Sequence, residues 1–262
     1  MHLHHTTPAT EDEAIARQLT LREHVSHEDS GPAPGAPATV AGVDVAYDDE
    51  RGIVAAAAVT LDARTLEVRE RATATGPVAF PYRPGLLAYR ELPAVLDALG
   101  RLETPPDLVV CDGYGTAHPR RFGLAAHLGV LTGLPAIGVA KNPFTFRHRP
   151  PGPERGAWSP LVDDTDGTDD TDGPQDTDGT ATAHGTERTF PGEEVGRALR
   201  TQPGVKPVFV STGHRVSLPT ACAHVLNLAR RYRLPETTRA ADRLCRDALK
   251  AATAHPGGTS RG

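Results

Sequence analysis

DLVVCDGYGTAHPRRFG, residues 107–123, is the stretch from which the fold and a candidate site can be worked out. Its short apolar run is bounded by turn residues, a pattern that predicts a buried strand. The run ends in Asp112, and a glycine-rich turn with His118 and two arginines follows. Because open α/β sheets form their clefts at the carboxyl ends of strands, the stretch predicts a site at Asp112. An aspartate that only caps a tight turn is the alternative.

The segments around this stretch predict a mixed α/β fold, with a central sheet and flanking helices. Three extended segments come first, joined by short links of the kind found in antiparallel hairpins. Helical and extended patterns then follow one another. Pro93 is expected to start a new helix or to kink one. The predicted strands are 39–47, 52–61, 66–74, 107–112, 135–141 and 206–213, and the predicted helices are 11–27, 86–102, 122–132, 218–232 and 235–252.

The composition predicts one folded domain between two tails. Residues 1–37 are expected to form a tail and a helix, residues 38–250 a single catalytic domain, and residues 251–262 a disordered tail. The low-complexity acidic run DDTDGTDDTDGPQDTDGT interrupts the domain at about 160–190. Its spacing does not match a calcium-binding loop, so we expect a disordered surface insertion.

The charge of the chain is compatible with binding to nucleic acid. The formal net charge is −5, but residues 163–178 hold eight aspartates, and removing their charge leaves +3. The positive charge is mostly arginine, which suits phosphate. The three cysteines form neither a zinc pattern nor a disulfide framework, and no signal peptide or membrane span is evident. We expect a soluble, cytoplasmic monomer with no membrane partner.

Three acids lie where a central sheet could gather them. Asp44 interrupts the apolar strand AGVDVAY, Glu91 lies on the helix after the first three strands, and Asp112 ends the fourth strand. An unpaired carboxylate in a strand is costly, so Asp44 is either hydrogen-bonded or a ligand. Glu91 taken alone would be a solvated surface charge. Together the three oxygen donors predict a Mg²⁺ site.

Three further residues follow strands and are candidates for the same site. Lys141 could neutralise charge on a phosphate, although a lysine that guards a sheet edge is the alternative. His118 could donate to the phosphate, act as a general acid or support a ligand. His214 follows the strand near residue 213. A fourth metal ligand could be His214, water or a C-terminal acid such as Asp242.

The sequence around these residues resembles that of the endonuclease V family, the nucleases directed at deoxyinosine. The resemblance covers most of residues 39–141 and 194–242, in long collinear segments. These are VAGVDVAY, PYRPGLLAYRELPAVLDAL, PDLVVCDGYGTAHPRRFGLAAHLGVLTGLPAIGVAK, KPVFVSTGHR and YRLPETTRAAD.

The resemblance implies a ribonuclease H-like fold and a DNA repair endonuclease. It implies hydrolysis of the second phosphodiester bond 3′ to a deaminated base, chiefly deoxyinosine, with Mg²⁺ or Mn²⁺, leaving 5′-phosphate and 3′-hydroxyl ends. Inosine-containing RNA stays open as a substrate. The implied metal ligands are the three acids, and the residues that match other active-site positions are Lys141, His118 and His214.

The resemblance also implies a lesion-binding region. Tyr82 is the expected aromatic tip of a wedge that enters the duplex, held by rigid prolines. Gly113 and Gly115 are expected to bring backbone N–H groups close to the base, although plain turn geometry is the alternative. The expected lesion- and backbone-contacting residues are Pro81, Tyr82, Arg83, Pro84, Gly85, Leu87, Gly113, Gly115, Arg120 and Arg121. Arg83 departs from the branched apolar residue common in the family, and the acidic insertion replaces a shorter loop.

Two rival functions remain compatible with the sequence. Another ribonuclease H-like nuclease, such as a junction resolvase or an enzyme that cuts RNA:DNA hybrids, would share the acids but needs no wedge. A nucleic-acid-binding protein that has lost its chemistry would usually lack one of the acids or Lys141, and all four are present.

Overall fold

The computed structural model describes residues 5–163 and 192–254, and these form one mixed sheet with helices on both faces. The sheet has eight strands within the described residues. In chain order they are β1 Thr39–Asp48, β2 Ile53–Asp62, β3 Val68–Pro77, β4 Leu108–Cys111, β5 Ala136–Ala140, β6 Trp158–Asp163, β7 Glu193–Leu199 and β8 Val208–His214.

The strand order is β3-β2-β1-β4-β5-β8-β7-β6. The first three strands form an antiparallel meander, as predicted, and β1, β4 and β5 are parallel neighbours. The remaining strands pair antiparallel. This arrangement confirms the predicted α/β fold of the ribonuclease H-like type.

The described part of the chain has five α-helices, and four of them pack on the sheet. Helices α2 and α3 share one core with residues of β1, β2 and β4, such as Val43 and Cys111. Helices α4 and α5 pack on the opposite face, against residues such as Val40 and Val59. No helix in these residues has the length and apolar character needed to cross a membrane. The helices are α1 Glu11–Leu21, α2 Leu87–Gly100, α3 Leu124–Thr132, α4 Leu218–Leu228 and α5 Glu236–Ala254.

Three boundaries differ from those predicted. Helix α2 runs as one helix through Pro93, because its buried face packs along the sheet on both sides of that residue. The acidic insertion begins later than about residue 160, since residues 158–163 form β6, paired with β7. Helix α5 continues to Ala254, past the expected end of the domain. The rest of the insertion, 164–191, and the tail, 255–262, lie outside the described residues.

Helix α5 crosses β1 at very close range, and a glycine permits the approach. A Cβ atom on Gly42 would lie 2.2 Å from the carbonyl oxygen of Thr237, near the start of α5. Thr237 itself is fully buried. Since side chains alternate along a strand, Asp44 points to the same face as Gly42 and therefore toward α5.

We predict that Gly42→Ala destabilises the protein by about 2–3 kcal/mol, because the new methyl group cannot fit against a backbone oxygen. The midpoint of urea unfolding, followed by circular dichroism, measures the change. Gly100→Ala is the matched control, since its Cβ would meet open space. Equal midpoints for the two variants would contradict the close approach.

Candidate active site

The parallel pairing of β1 with β4 sets two aspartates side by side. The register ends at Val43 opposite Cys111, so Asp44 and Asp112 are the next residues on the two strands. Strand β1 continues to Asp48 without β4 beside it. The sheet therefore opens at this point, at the carboxyl ends of its parallel strands, where the sequence predicted a cleft.

Glu91 reaches the opening from α2, on the other face of the sheet. It is buried, with 8% of its surface exposed, and the hydroxyl of Tyr47 donates to its Oε1 at 3.1 Å. The charges of Asp44 and Asp112 are close enough to act on its carboxyl group. The structure thus brings together the three acids that the sequence selected.

Asp44 and Glu91 hold protons more tightly than free carboxylates do. Burial and the neighbouring charge of Asp112 raise the pKa of Asp44 to about 7, against a hydrogen bond from the N–H of Val45 at 2.8 Å. Burial raises the pKa of Glu91 to about 8, and the charges of Asp44 and Asp112 add to this effect. Burial is the main cause of both raised pKa values, and the negative charge of the neighbouring carboxylates adds to it.

Asp242 on α5 is a fourth acid at the same place. It lines a cleft of about 430 Å³ together with Asp112 and Lys141, and its charge acts on both Asp44 and Lys141. The sequence left Asp242 as one of three options for a fourth ligand, and its geometry now favours it. Three arginines of α5 also line the cleft, and the sequence did not single them out: Arg239, Arg243 and Arg246.

Lys141 follows β5 and forms an ion pair with Asp112. Burial lowers the pKa of its ammonium group, but the hydrogen bond and charge of Asp112 outweigh this and raise it. Its side chain remains 39% exposed toward the cleft. A cation is therefore held beside the acids and stays accessible to an anion.

The acid cluster fits a hard divalent cation by its chemistry. All of its donors are carboxylate oxygens, the ligands that Mg²⁺ prefers, and a bound cation would offset the charge that raises the pKa values. Within residues 5–163 and 192–254, no group of three or more His, Cys, Asp or Glu side chains is already arranged to hold a metal ion. Asp112 is turned to Lys141 instead.

His214 does not join this cluster. Strand β8 runs antiparallel to β5, so His214 lies opposite Ala136 at the start of β5, whereas Lys141 follows its end. The five-residue offset from Ala136 to Lys141 corresponds to a separation of roughly 16 Å along the strand. The Nδ1 atom of His214 accepts the N–H of Ser26 at 3.2 Å, which is a structural contact. The prediction that His214 belongs to the active site is therefore corrected.

The predicted wedge is an exposed loop beside a pocket. The side chain of Tyr82 is 63% exposed, between Pro81 and Pro84, and Gly85 ends the loop with a φ of +77°. The loop borders a pocket of about 240 Å³ with largely apolar walls. Other residues that line this pocket are Leu87, Gly113, Tyr114, His118 and Phe144.

Phe144 and Tyr114 are pocket residues that the sequence did not indicate. The rings of Phe144 and His118 are stacked, with centroids 6.3 Å apart, and Tyr114 lies 5.8 Å from Phe144. Phe144 is 41% exposed, so part of its ring is accessible where it lines the pocket. No periodic pattern surrounds it in the sequence, so only the fold reveals its place.

His118 lies in the pocket and is held neutral. The Gly85 carbonyl can only accept, so Nε2 carries the proton in the 3.0 Å contact between them, and Nδ1 accepts the N–H of Arg120 at 3.2 Å. Burial and the charge of Arg120 lower the pKa of His118 to about 4. This bonding does not suit a general acid, one of the roles that the sequence suggested.

The two glycines that were expected to present N–H groups to a base donate them to other groups of the protein. The N–H of Gly113 donates to the Val139 carbonyl at 3.3 Å, and that of Gly115 donates to Oγ of Ser211 at 2.8 Å. These two N–H groups are therefore engaged within the protein and are not aimed at a base.

The arginines at 120 and 121 are also bound within the protein. Arg120 donates to the Gly85 carbonyl at 2.7 Å, and Arg121 pairs with Asp163 at 2.5 Å and with Glu193 at 2.8 Å. Both guanidinium groups are engaged with protein groups and support loops, and their contact with a nucleic-acid backbone stays a prediction. Arg83 is exposed, 3.5 Å from Glu11 of α1.

Comparison with known proteins links this site to one family. The endonuclease V family model matches residues 19–243. Endonuclease V of Streptomyces avermitilis is 60% identical over 247 residues, covering 94% of this chain and 96% of the relative. Its crystal structure superposes with a TM-score of 0.82 at 59% identity, over 94% of this chain and 96% of that one. Endonuclease V of Ciona intestinalis, solved with a 24mer DNA containing an inosine followed by a ribo-adenosine, gives a TM-score of 0.69 at 28% identity, over 92% and 98% of the chains.

We predict that the raised pKa of Asp44 makes the cation-free protein lose stability with rising pH. The folded-state pKa is about 7, and an unfolded aspartate titrates at about 3.9. The unfolded chain therefore releases its proton first, so the contribution is present below about pH 3.9 and is lost as the pH rises through 7.

Urea unfolding in a chelator between pH 4 and 8 measures this loss. Asp44→Asn should flatten the curve over that range, and Asp97→Asn, at an exposed position on α2, should leave it unchanged. Parallel curves for wild type and Asp44→Asn would show that the carboxyl group is not coupled to its neighbours.

Proposed function

The chain belongs to the endonuclease V family, and we propose that it cuts DNA at the second phosphodiester bond 3′ to a deaminated base, chiefly deoxyinosine. Mg²⁺ is the proposed cofactor, and Mn²⁺ can replace it. The reaction adds water to the phosphorus and breaks the P–O3′ bond, so the products carry a 5′-phosphate and a 3′-hydroxyl. The family by itself makes the protein an endonuclease.

One observation carries the proposal: the acid cluster and the wedge pocket lie on either side of one short turn. Asp112 lines the acidic cleft, and Gly113, the next residue, lines the pocket beneath Tyr82. A base held in the pocket would keep its own strand close to the acids. The DNA bound to the Ciona relative contains an inosine, which supports this base as the target.

The residues of the cleft have distinct proposed tasks in hydrolysis. Asp44, Glu91 and Asp112 would hold the cation, with Asp242 as a fourth ligand. The bound ion would orient the phosphate and lower the pKa of the attacking water. The Lys141 ammonium group, exposed beside Asp112, would donate to a phosphate oxygen as negative charge develops. The arginines of α5 would contact neighbouring phosphates.

Recognition would depend on shape and stacking. A deaminated base pairs poorly, so turning it out of the helix costs less than turning out a normal base. Tyr82 would fill the space that the base leaves, and the rings of Tyr114 and Phe144 would border the base in the pocket. The neutral Nε2–H of His118 supports the loop through the Gly85 carbonyl.

We predict cleavage of an inosine-containing duplex in Mg²⁺, with the cut at the second bond 3′ to the lesion. End-labelled strands on a sequencing gel give the position. The matched undamaged duplex, the same reactions in a chelator, and an inosine-containing RNA strand are run beside it. Equal cutting of damaged and undamaged DNA would overturn the proposal in favour of a general ribonuclease H-like nuclease. Preferred cutting of the RNA would show that inosine-containing RNA, and not DNA, is the substrate.

We predict that Asp242→Asn lowers kcat on the inosine duplex on the order of a thousandfold, whereas His214→Asn lowers it by less than about threefold. The reason is that Asp242 lines the acidic cleft and His214 lies at the other end of β5. Asp247→Asn, an exposed acid on the same helix, is the matched control. A severe loss in a well-folded His214→Asn protein, with Asp242→Asn active, would reverse the assignment.

A further inference from the structure

The Gly85 carbonyl, at the end of the wedge loop 81–85, accepts three hydrogen bonds. The donors are Nε2 of Gln18 at 3.0 Å, Nε2 of His118 at 3.0 Å and Nη2 of Arg120 at 2.7 Å. A carbonyl oxygen has two lone pairs, so its capacity is fully used. The backbone at the base of the wedge is therefore held from two other segments of the chain.

Gln18 of α1 connects these segments. Its side chain is fully buried; besides Gly85, its Nε2 donates to the Phe122 carbonyl at 3.1 Å. Its Oε1 accepts Nε of Arg120 at 2.6 Å. Because the two carbonyls only accept and the guanidinium only donates, the orientation of the amide follows from its neighbours. One side chain thus joins α1, the wedge loop and the turn that precedes α3.

Helix α1 is itself firmly packed, so it can serve as a fixed support. Ala14 is fully buried in a cluster with Phe80, Leu86 and Tyr89. The hydroxyl of Tyr89 also donates to the Ala14 carbonyl at 3.0 Å. Phe80 and Leu86 flank the wedge loop in the sequence, so both ends of the loop contact the same helix.

We propose that Gln18 is a positioning residue that sets the wedge loop at the angle needed for Tyr82 to enter a duplex. Gln18 borders the wedge pocket but not the acidic cleft. Its side chain is fully buried, and its bonds act through Gly85 and Arg120. The inference rests on the proposed function, because it assigns α1 a part in opening the DNA at the lesion. A duplex needs the wedge to separate its strands, whereas a single strand does not. Loss of Gln18 therefore affects the two substrates differently.

The test compares inosine-containing duplex and single-stranded DNA for two variants. Gln18→Leu removes all the hydrogen bonds of the amide. The nearly isosteric Gln18→Glu keeps an acceptor for Arg120, but its second carboxylate oxygen cannot donate to the Gly85 and Phe122 carbonyls and is repelled by them. We expect kcat/KM on the duplex to fall about tenfold or more and on the single strand by less than about threefold, as expected for misplaced rather than absent groups. An equal fall on both substrates, or no fall, overturns the inference.

The matched control is Gln202→Leu. Gln202 also donates to two backbone carbonyls, those of Ala229 at 2.8 Å and Tyr232 at 3.3 Å, and it lines neither the acidic cleft nor the wedge pocket. Its ratio of duplex to single-strand cleavage should equal that of the wild type. If it shifts as much as the Gln18 variants do, the effect is general destabilisation and the inference fails.

Hydrogen–deuterium exchange tests the loop without any substrate. The Leu86 N–H donates to the Arg83 carbonyl at 3.0 Å across the loop. Its exchange should become about tenfold faster in Gln18→Leu and stay unchanged in Gln202→Leu. If exchange is unchanged in the Gln18 variants, the inference fails. This result does not depend on whether the wild type cuts an inosine-containing strand. If the wild type cuts inosine DNA and only the substrate ratio is unaffected, the inference fails and the proposed function stands.

Discussion

The parallel pairing of β1 with β4 is the constraint on which the rest of the site depends. Its register ends at Val43 and Cys111, which forces two aspartates onto adjacent strand ends. Burial, together with the like charge of Asp112 beside it, raises the pKa of Asp44 to about 7. The neighbouring parallel strand supplies Lys141, whose ammonium group offsets part of that repulsion. Three consecutive strands of the sheet thus provide two acids and one cation at a single edge.

The helices complete this edge from both faces of the sheet. Helix α2 brings Glu91 from one side, where burial keeps its pKa near 8. Helix α5 brings Asp242 from the other, and it can approach β1 so closely only because residue 42 has no side chain. Buried acids without matching cations destabilise a fold. Their retention at one point is typical of a site whose missing charge arrives with a ligand.

The turn at residues 112–115 separates the acidic cleft from the aromatic pocket. Asp112 belongs to the acidic cleft, and Gly113 borders the aromatic pocket. Farther along the same stretch, His118 and Arg120 both bind the Gly85 carbonyl and so hold the wedge loop. The stretch that first indicated a metal and phosphate site therefore has three structural tasks, and its histidine and arginines support loops.

The sequence by itself determined the fold class, and it made Asp44 and Asp112 conspicuous because carboxylates on apolar strands are costly. Glu91 and Lys141 were added by their places on the neighbouring helix and strand and by the family resemblance. Only the tertiary structure decided between His214 and Asp242. The local pattern of β8 does not encode its direction in the sheet, and antiparallel pairing carries His214 to the far end of β5. Asp242 lies on a strongly amphipathic helix, where an acid looks like ordinary surface charge. Gln18 was equally hidden, since a single glutamine becomes significant only when three distant segments meet around it.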